Sequence, residues 1–186
     1  MKEKEVKIRL PDPRVVHKLT YYMKTLGAKQ IGVICECNHI LDLDGRPLKK
    51  NGCMLRVREN LNCSAPSVIT FKGPAEEPIV KGVKIREEIE APLQSPQAVI
   101  RLLSSLGFGV VCTYAKERAV HELFGVMVQI DKIPELGCFV EIECSEEKKI
   151  KNIIKICRLE RFERIKESYA DMMENYLVAK ACRTDL

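Results

Sequence analysis

Near its start the chain alternates. Glu3, Glu5, Lys7 and Arg9 fall on one parity, and Val6, Ile8 and Leu10 fall on the other. Successive side chains of a strand point to opposite faces, so the pattern predicts a strand with one charged face and one apolar face. Further segments repeat it. In LRVR, Arg56 and Arg58 oppose Leu55 and Val57; in VITFKGP, Thr70 and Lys72 oppose Ile69 and Phe71. VKIREEIE sets Lys84, Arg86, Glu88 and Glu90 against Val83, Ile85 and Ile89, with Glu87 out of step. VCTYAKERAV aligns Tyr114, Lys116 and Arg118. VMVQID places Gln129 and Asp131 opposite Val126, Val128 and Ile130, and CFVEIEC places Glu141 and Glu143 opposite Val140 and Ile142.

Elsewhere the apolar period changes to three and four, which predicts helices. Asp12 and Pro13 supply an N-cap and a first helical residue. Val15, Val16, Leu19, Tyr22, Met23 and Leu26 follow, and Gly27 stops the run. Ser95-Pro96 opens a second helix through Val99, Leu102, Leu103 and Leu106 to Gly107. A third starts at Ser145, with Glu146 and Glu147 at its positive end and a stripe of Ile150, Ile153, Ile154 and Cys157. A last helix carries Ile165, Tyr169, Met172 and Tyr176. Asn60 to Ser67 and Gly73 to Gly82 read as loops. With no repeat or linker, residues 1–180 are expected to form a single domain, with 181–186 as a tail.

A charged strand face is ordinarily solvated over a buried apolar one. Seven such faces rich in long ionisable side chains argue for another arrangement. The helices must bury their stripes, and the apolar strand faces offer the surface. If the sheet closes, the helices pack outside and the charges turn inward, although small barrels usually fill with apolar side chains. Crowded interior charges are costly without partners. A polyanion answers Lys7, Arg9, Arg56, Arg58, Lys72, Lys84, Arg86, Lys116 and Arg118, since Arg and Lys match phosphate oxygens. A hard divalent cation answers Glu3, Glu5, Glu88, Glu90, Asp131, Glu141 and Glu143. Metal and polyphosphate together describe phosphoryl transfer.

Composition agrees. The 186 residues carry 31 basic and 26 acidic side chains, a net charge of +5. That excess suits a phosphate-bearing partner, but no Lys/Arg block calls for nucleic acid. No run reaches the roughly 18 apolar residues of a membrane helix, and no signal-type run opens the chain, so a cytoplasmic protein is expected. The nine cysteines form no C-x-x-C pair, which argues against a zinc ribbon. They read as small hydrophobes in a reducing compartment, and Cys35 and Cys37 would share a strand face.

These residues resemble the CYTH domain family, a branch of the triphosphate tunnel metalloenzymes. Glu3-x-Glu5-x-Lys7 looks like the family's opening signature. LRVR at 55–58, TFKGP at 70–74, REEIE at 86–90, KER at 116–118, the Asp131-x5-Gly137-x3-Glu141-x-Glu143 block and Ser168-Tyr169-Ala170-Asp171 follow in order. The resemblance implies an α+β fold: a closed eight-stranded antiparallel β-barrel, a tunnel with a charged interior and helices packed outside. It implies Mg2+ or Mn2+ and a triphosphate-bearing small molecule, such as inorganic triphosphate or ATP. No membrane or nucleic-acid partner is expected, and a homodimer is left open.

Carried over residue by residue, Glu3, Glu5 and Glu143 hold the metal, with Asp131 and Glu141 beside them. Lys7, Arg56, Arg58, Lys72, Arg86, Lys116 and Arg118 grip the triphosphate, and Lys72, Glu88 and Glu90 are the catalytic candidates, the two glutamates orienting water or a second metal. Many members carry an aromatic pair where Ile40 and Leu41 stand, which counts against thiamine triphosphate as substrate. His39, on the other parity, reads as structural. The expected activity is a metal-dependent triphosphate phosphohydrolase. The alternative is a class IV adenylyl cyclase releasing pyrophosphate, and a third reading is a binding module for polyphosphate or an RNA 5′ end.

Overall fold

The computed structural model describes residues 2–62, 66–76 and 84–184; the side chains of Lys2, Glu3, Arg183 and Thr184 lie outside that description, as do Cys63, Val83 and most of the 73–82 loop. Eight strands form the wall: β1 (Lys2–Leu10), β2 (Lys29–Asp42), β3 (Met54–Asn60), β4 (Ser67–Ala75), β5 (Lys84–Leu93), β6 (Gly109–Leu123), β7 (Val126–Ile133) and β8 (Gly137–Glu143). They hydrogen-bond in the order β5-β4-β3-β2-β6-β7-β8-β1, and β1 pairs again with β5 to close the barrel. Every pairing is antiparallel. The first strand serves two partners. Lys2 to Glu5 pair with Glu87 to Lys84, and Glu5 to Leu10 pair with Glu143 to Cys138. A two-residue strand, β9 (Arg164–Ile165), adds to β1 at Lys7 and Ile8.

Asp12 caps α1 (Pro13–Thr25), accepting from the backbone N–H of Arg14 and Val15. Gly27 follows it at φ +89°, a left-handed conformation that favours glycine at a helix end. Ser95 caps α3 (Pro96–Ser105) in the same way. The remaining helices are α2 (Pro47–Lys50), α4 (Glu147–Ile156) and α5 (Tyr169–Thr184). Among the described residues no helix is long and apolar enough to cross a membrane.

Parity divides the apolar side chains into two clusters. Outside the barrel, Val6, Ile8 and Leu10 of β1, Val126, Val128 and Ile130 of β7, and Val140 and Ile142 of β8 pack under Leu19 and Met23 of α1 and Ile150, Ile153 and Ile154 of α4. Inside, Ile40, Cys112, Tyr114, Ile133 and Phe139 fill one end of the barrel with Tyr169, Ala170, Met172 and Met173 of α5. The start of α5 therefore plugs the interior at that end, and the charges occupy the rest.

Two local expectations need correction, and one short helix carried no expectation. Ile165 does not join the last helix; it sits in β9, because the helix begins only after Ser168 has bonded to Asp171. Leu102 and Leu106 on α3 remain exposed, since the helix seats on β3, β4 and β6 with other residues. The short α2 carried no periodic signal; buried Asp42 forms it by accepting from the N–H groups of Leu48 and Lys49.

Candidate functional site

The charged end of the barrel encloses a cavity of about 470 Å3. Its wall includes Glu5, Lys7, Arg56, Arg58, Lys72, Lys84, Arg86, Glu88, Glu90, Lys116, Arg118, Glu141 and Glu143. Strand parity turns them inward, and their depth along the strands brings them to this end. Arg9 shares the parity but lies beyond the cavity, bonded to the Leu136 carbonyl and stacked on Phe139. The Glu3 side chain is outside the described residues. Its backbone pairs with Arg86 in the β1–β5 seam.

Two features of register build the acidic cluster. Glu5 stands opposite Glu143, and Lys7 stands opposite Glu141. Carboxylate oxygens of Glu5, Glu141 and Glu143 all come within 4.8 Å of one another. Three carboxylates so close repel unless a cation sits among them. An all-oxygen donor set of this kind suits a hard divalent ion, so the residues fit a metal. Gln129 Nε2 donates to Glu143 at 2.9 Å and fixes one of the three.

Asp131 is not part of that cluster. It is fully buried behind the wall, and three groups converge on it. Arg118 donates through Nε and Nη2, both at 2.7 Å; Lys116 lies 3.5 Å away, and Tyr169 Oη donates at 2.8 Å. The Arg118 guanidinium also bonds Glu141, which lies 3.3 Å from Lys7. On the other side Lys116 is 3.4 Å from Glu36, and Glu36 is 3.7 Å from Arg58. One chain of alternating charges thus crosses the barrel: Arg58, Glu36, Lys116, Asp131, Arg118, Glu141, Lys7. Burial pushes the Glu141 carboxyl up, but Lys7, Arg118 and Lys116 outweigh it and hold it well below the usual range. Burial lowers Lys116, and neighbouring Arg118 lowers it further against the pull of Asp131 and Glu36.

The opposite wall is more loosely paired. Lys72 lies 2.9 Å from Glu88. Arg56 reaches Thr70 at 3.3 Å and Glu90 at 3.7 Å, and Arg58 donates to Glu90 at 3.1 Å. The Nε atoms of Arg56 and Arg86 are buried and have no hydrogen-bond partner among the described residues. A buried guanidinium N–H without an acceptor is costly. Burial brings Lys84 down to about 8, helped by Arg86 and Lys7 and opposed by Glu5.

Three residues in and behind the site, Glu36, Asn38 and Tyr169, escaped the sequence reading. Glu36 and Asn38 lie between Cys35, Cys37 and His39 on β2, so the outward thiols imply inward Glu36 and Asn38. Yet ICECNHIL has no charged run to draw attention to it. Tyr169 looked like one more member of an apolar helical stripe. It instead enters the barrel, with Lys7 Nζ 3.9 Å from its ring centroid. His39 faces away, beside Thr113 and Glu59. The described cysteines are all free thiols.

The CYTH domain model matches residues 1–170. The chain belongs to the CYTH family. A Methanocaldococcus jannaschii protein with a provisional adenylate cyclase name is 28% identical over 145 residues, 78% of each chain. The PH1012 protein of Pyrococcus horikoshii is 25% identical; the match covers 92% of this chain and 99% of that one, with a TM-score of 0.76. A Hippeastrum protein, provisionally named an adenylyl cyclase and described as having a dominant triphosphatase activity, shares the fold at a TM-score of 0.77 and 19% identity, over 93% of this chain and 95% of that one. The CYTH barrel thus comes with both cyclase and triphosphatase names.

Proposed function

We propose that this CYTH protein is a Mg2+- or Mn2+-dependent triphosphate phosphohydrolase, acting on inorganic triphosphate or a nucleoside triphosphate inside the barrel. The observation that carries the reading is one cavity that holds both buried guanidinium donors and a close cluster of carboxylates. Among the described residues Arg56 and Arg86 present buried Nε–H groups without acceptors, and oxygens of Glu5, Glu141 and Glu143 gather within 4.8 Å of one another. A metal-bound polyphosphate satisfies both.

In this reading Glu5, Glu141 and Glu143 hold the ion. Lys7, Arg56, Arg58, Lys72, Arg86, Lys116 and Arg118 set the field around the phosphates and stabilise charge that develops in the transition state. Lys72 stands beside Glu88 as the cation nearest a candidate base. Glu88 and Glu90 orient the attacking water. Arg58 and the Thr70 hydroxyl bond Glu90, so its carboxylate is fixed in direction and held lower than an ordinary Glu against the effect of burial. The bound ion would supply charge neutralisation and a more acidic water.

The name of the M. jannaschii relative favours a second reading, an adenylyl cyclase that makes cyclic AMP and pyrophosphate from ATP. Purified protein with Mg2+ or Mn2+, offered inorganic triphosphate and ATP side by side, separates the two. Orthophosphate plus pyrophosphate from triphosphate, with no cyclic AMP from ATP, is the expected result. Cyclic AMP with matching pyrophosphate would replace it by the cyclase reading. Silence on both would leave a binding module.

A further inference from the structure

Of the three carboxylates in the charge chain, Glu36 and Asp131 neither line the cavity nor join the acidic cluster, and Glu36 is the one that touches both Arg58 and Lys116. It is 2% exposed. Its Oε1 lies 3.7 Å from Arg58 Nη1, and its Oε2 lies 3.4 Å from Lys116 Nζ. The amide of Asn38, itself fully buried, donates to Oε2 at 3.4 Å and holds the carboxylate from behind. Both cations that Glu36 touches do line the cavity, one from β3 and one from β6, on either side of β2.

Breaking an ion pair this deep costs stability, but stability alone does not call for building one. Desolvation offsets part of the Coulomb gain, and replacing a whole buried pair by apolar side chains of similar size often serves a core as well or better. A polar anchor makes sense where the partners must keep a set direction. Arg58 and Lys116 have long, rotatable side chains. Without a fixed counter-charge behind them, each would follow its other carboxylate, Glu90 for Arg58 and Asp131 for Lys116. Glu36 pulls both back against the β2 wall.

We propose that Glu36 is a positioning residue: it sets the direction of Arg58 and Lys116 so that their N–H groups meet the phosphate as charge develops on it. This rests on the triphosphate reading of the cavity. The charge arithmetic gives a distinctive signature. Glu36→Gln removes a negative charge behind two phosphate-facing cations, so ground-state attraction for the anion does not fall. What is lost is direction, which counts in the transition state. A role confined to folding would lower the melting temperature and leave the per-molecule rate alone.

The test uses full-length Glu36→Gln, Glu36→Asp, Arg58→Ala and the Glu36→Gln/Arg58→Ala double variant, with inorganic triphosphate and Mg2+ or Mn2+. In Glu36→Gln, kcat is expected to fall about tenfold to hundredfold, as a misplaced group does. KM is expected to stay equal or to decrease, and Glu36→Asp recovers part of the rate. In the Arg58→Ala background the Glu36→Gln loss shrinks, because one of the two side chains it acts through is gone. An unchanged kcat in Glu36→Gln, or a loss that multiplies in full with that of Arg58→Ala, overturns the proposal. If Glu36→Gln does not fold, Glu36→Asp carries the comparison, and a wild-type kcat with a lowered melting temperature there also overturns it. If the wild type turns over no triphosphate, the reading of the activity fails. Triphosphate binding by calorimetry then decides the anchor alone: a weaker binding enthalpy with unreduced affinity in Glu36→Gln supports it, and identical enthalpies overturn it.

Discussion

Tyr169 Oη donates a 2.8 Å hydrogen bond to Asp131 Oδ2, joining the plug helix α5 to the fully buried carboxylate on β7. The bond crosses from the apolar end of the barrel interior to the charged end. Burial, with Glu141 and Asp131 close by, pushes the phenol far above its ordinary range, so Tyr169 is a donor at any working pH. Its ring meanwhile lies under Lys7 at 3.9 Å and stacks edge-on against Phe139 at 5.1 Å.

Tyr169→Phe keeps the ring and removes only the hydroxyl. Asp131 retains Arg118 and Lys116, so the carboxylate is not orphaned. A hydrogen bond to a charged group contributes about 1.5–3 kcal/mol, and denaturant unfolding of Tyr169→Phe is expected to show a loss in that range. Wild-type stability in the variant would mean that the bond does not hold α5 in place.

Arg118 sits between Asp131 and Glu141, both buried. Arg118→Ala leaves two interior carboxylates short of a counter-charge. Breaking a buried pair from one side costs about 3–5 kcal/mol. The expected result is a severely destabilised protein whose activity cannot be read without first checking that it folds. Arg58→Ala is the useful contrast. Arg58 has smaller carboxylate engagement, at 3.7 Å and 3.1 Å, so that variant is expected to fold while triphosphate turnover drops. An unchanged KM and kcat would remove Arg58 from the site.

The barrel was legible because strand parity is a strict code. Alternation placed Arg56, Arg58, Lys72, Arg86, Lys116 and Glu141 on one face before any contact was known, and closure turned that face inward. Parity says nothing about depth along the strand. Arg9 and Phe139 share the interior parity with Lys7 and Glu141, yet they lie toward the plugged end. Nor does it say which charges pair. Asp131 looked like one more metal carboxylate, but Arg118 takes it in a two-pronged grip. Tyr169 and Glu36 were hidden for a related reason: each is one polar side chain set in a locally apolar or thiol-rich stretch, and its meaning comes from partners on other elements, Asp131 for Tyr169 and Arg58 and Lys116 for Glu36.

Glu5→Ala removes one oxygen donor from the acidic cluster and relieves the repulsion felt by Glu141 and Glu143. The fold is expected to tolerate it, because Glu5 lines the cavity on β1 rather than packing in either apolar cluster. Metal affinity should fall by at least about tenfold, as a lost ligand or its support commonly costs. Calorimetric titration with Mn2+ reads this directly. Wild-type affinity and turnover in Glu5→Ala would sink the assignment of the metal to this cluster.

Acid stability tests the buried charge chain as a whole. Burial pushes the Glu36 carboxyl up, yet Lys116, Arg118, Arg58 and Arg56 together hold it at about 2, against 4.5 for an ordinary glutamate. Glu141 is lowered in the same direction. A group depressed in the folded state binds its proton first in the unfolded chain. It therefore contributes its full stability above pH 4.5 and loses it as pH falls toward about 2. For Glu36 the difference is of order 3 kcal/mol at neutral pH. Wild type is expected to weaken steadily from pH 4.5 down to about 2 in denaturant titrations. Glu36→Gln, which cannot ionise, starts lower and shows a shallower fall over the same window. Parallel pH profiles for the two proteins would mean that Glu36 is not held ionised by Lys116 and the arginines.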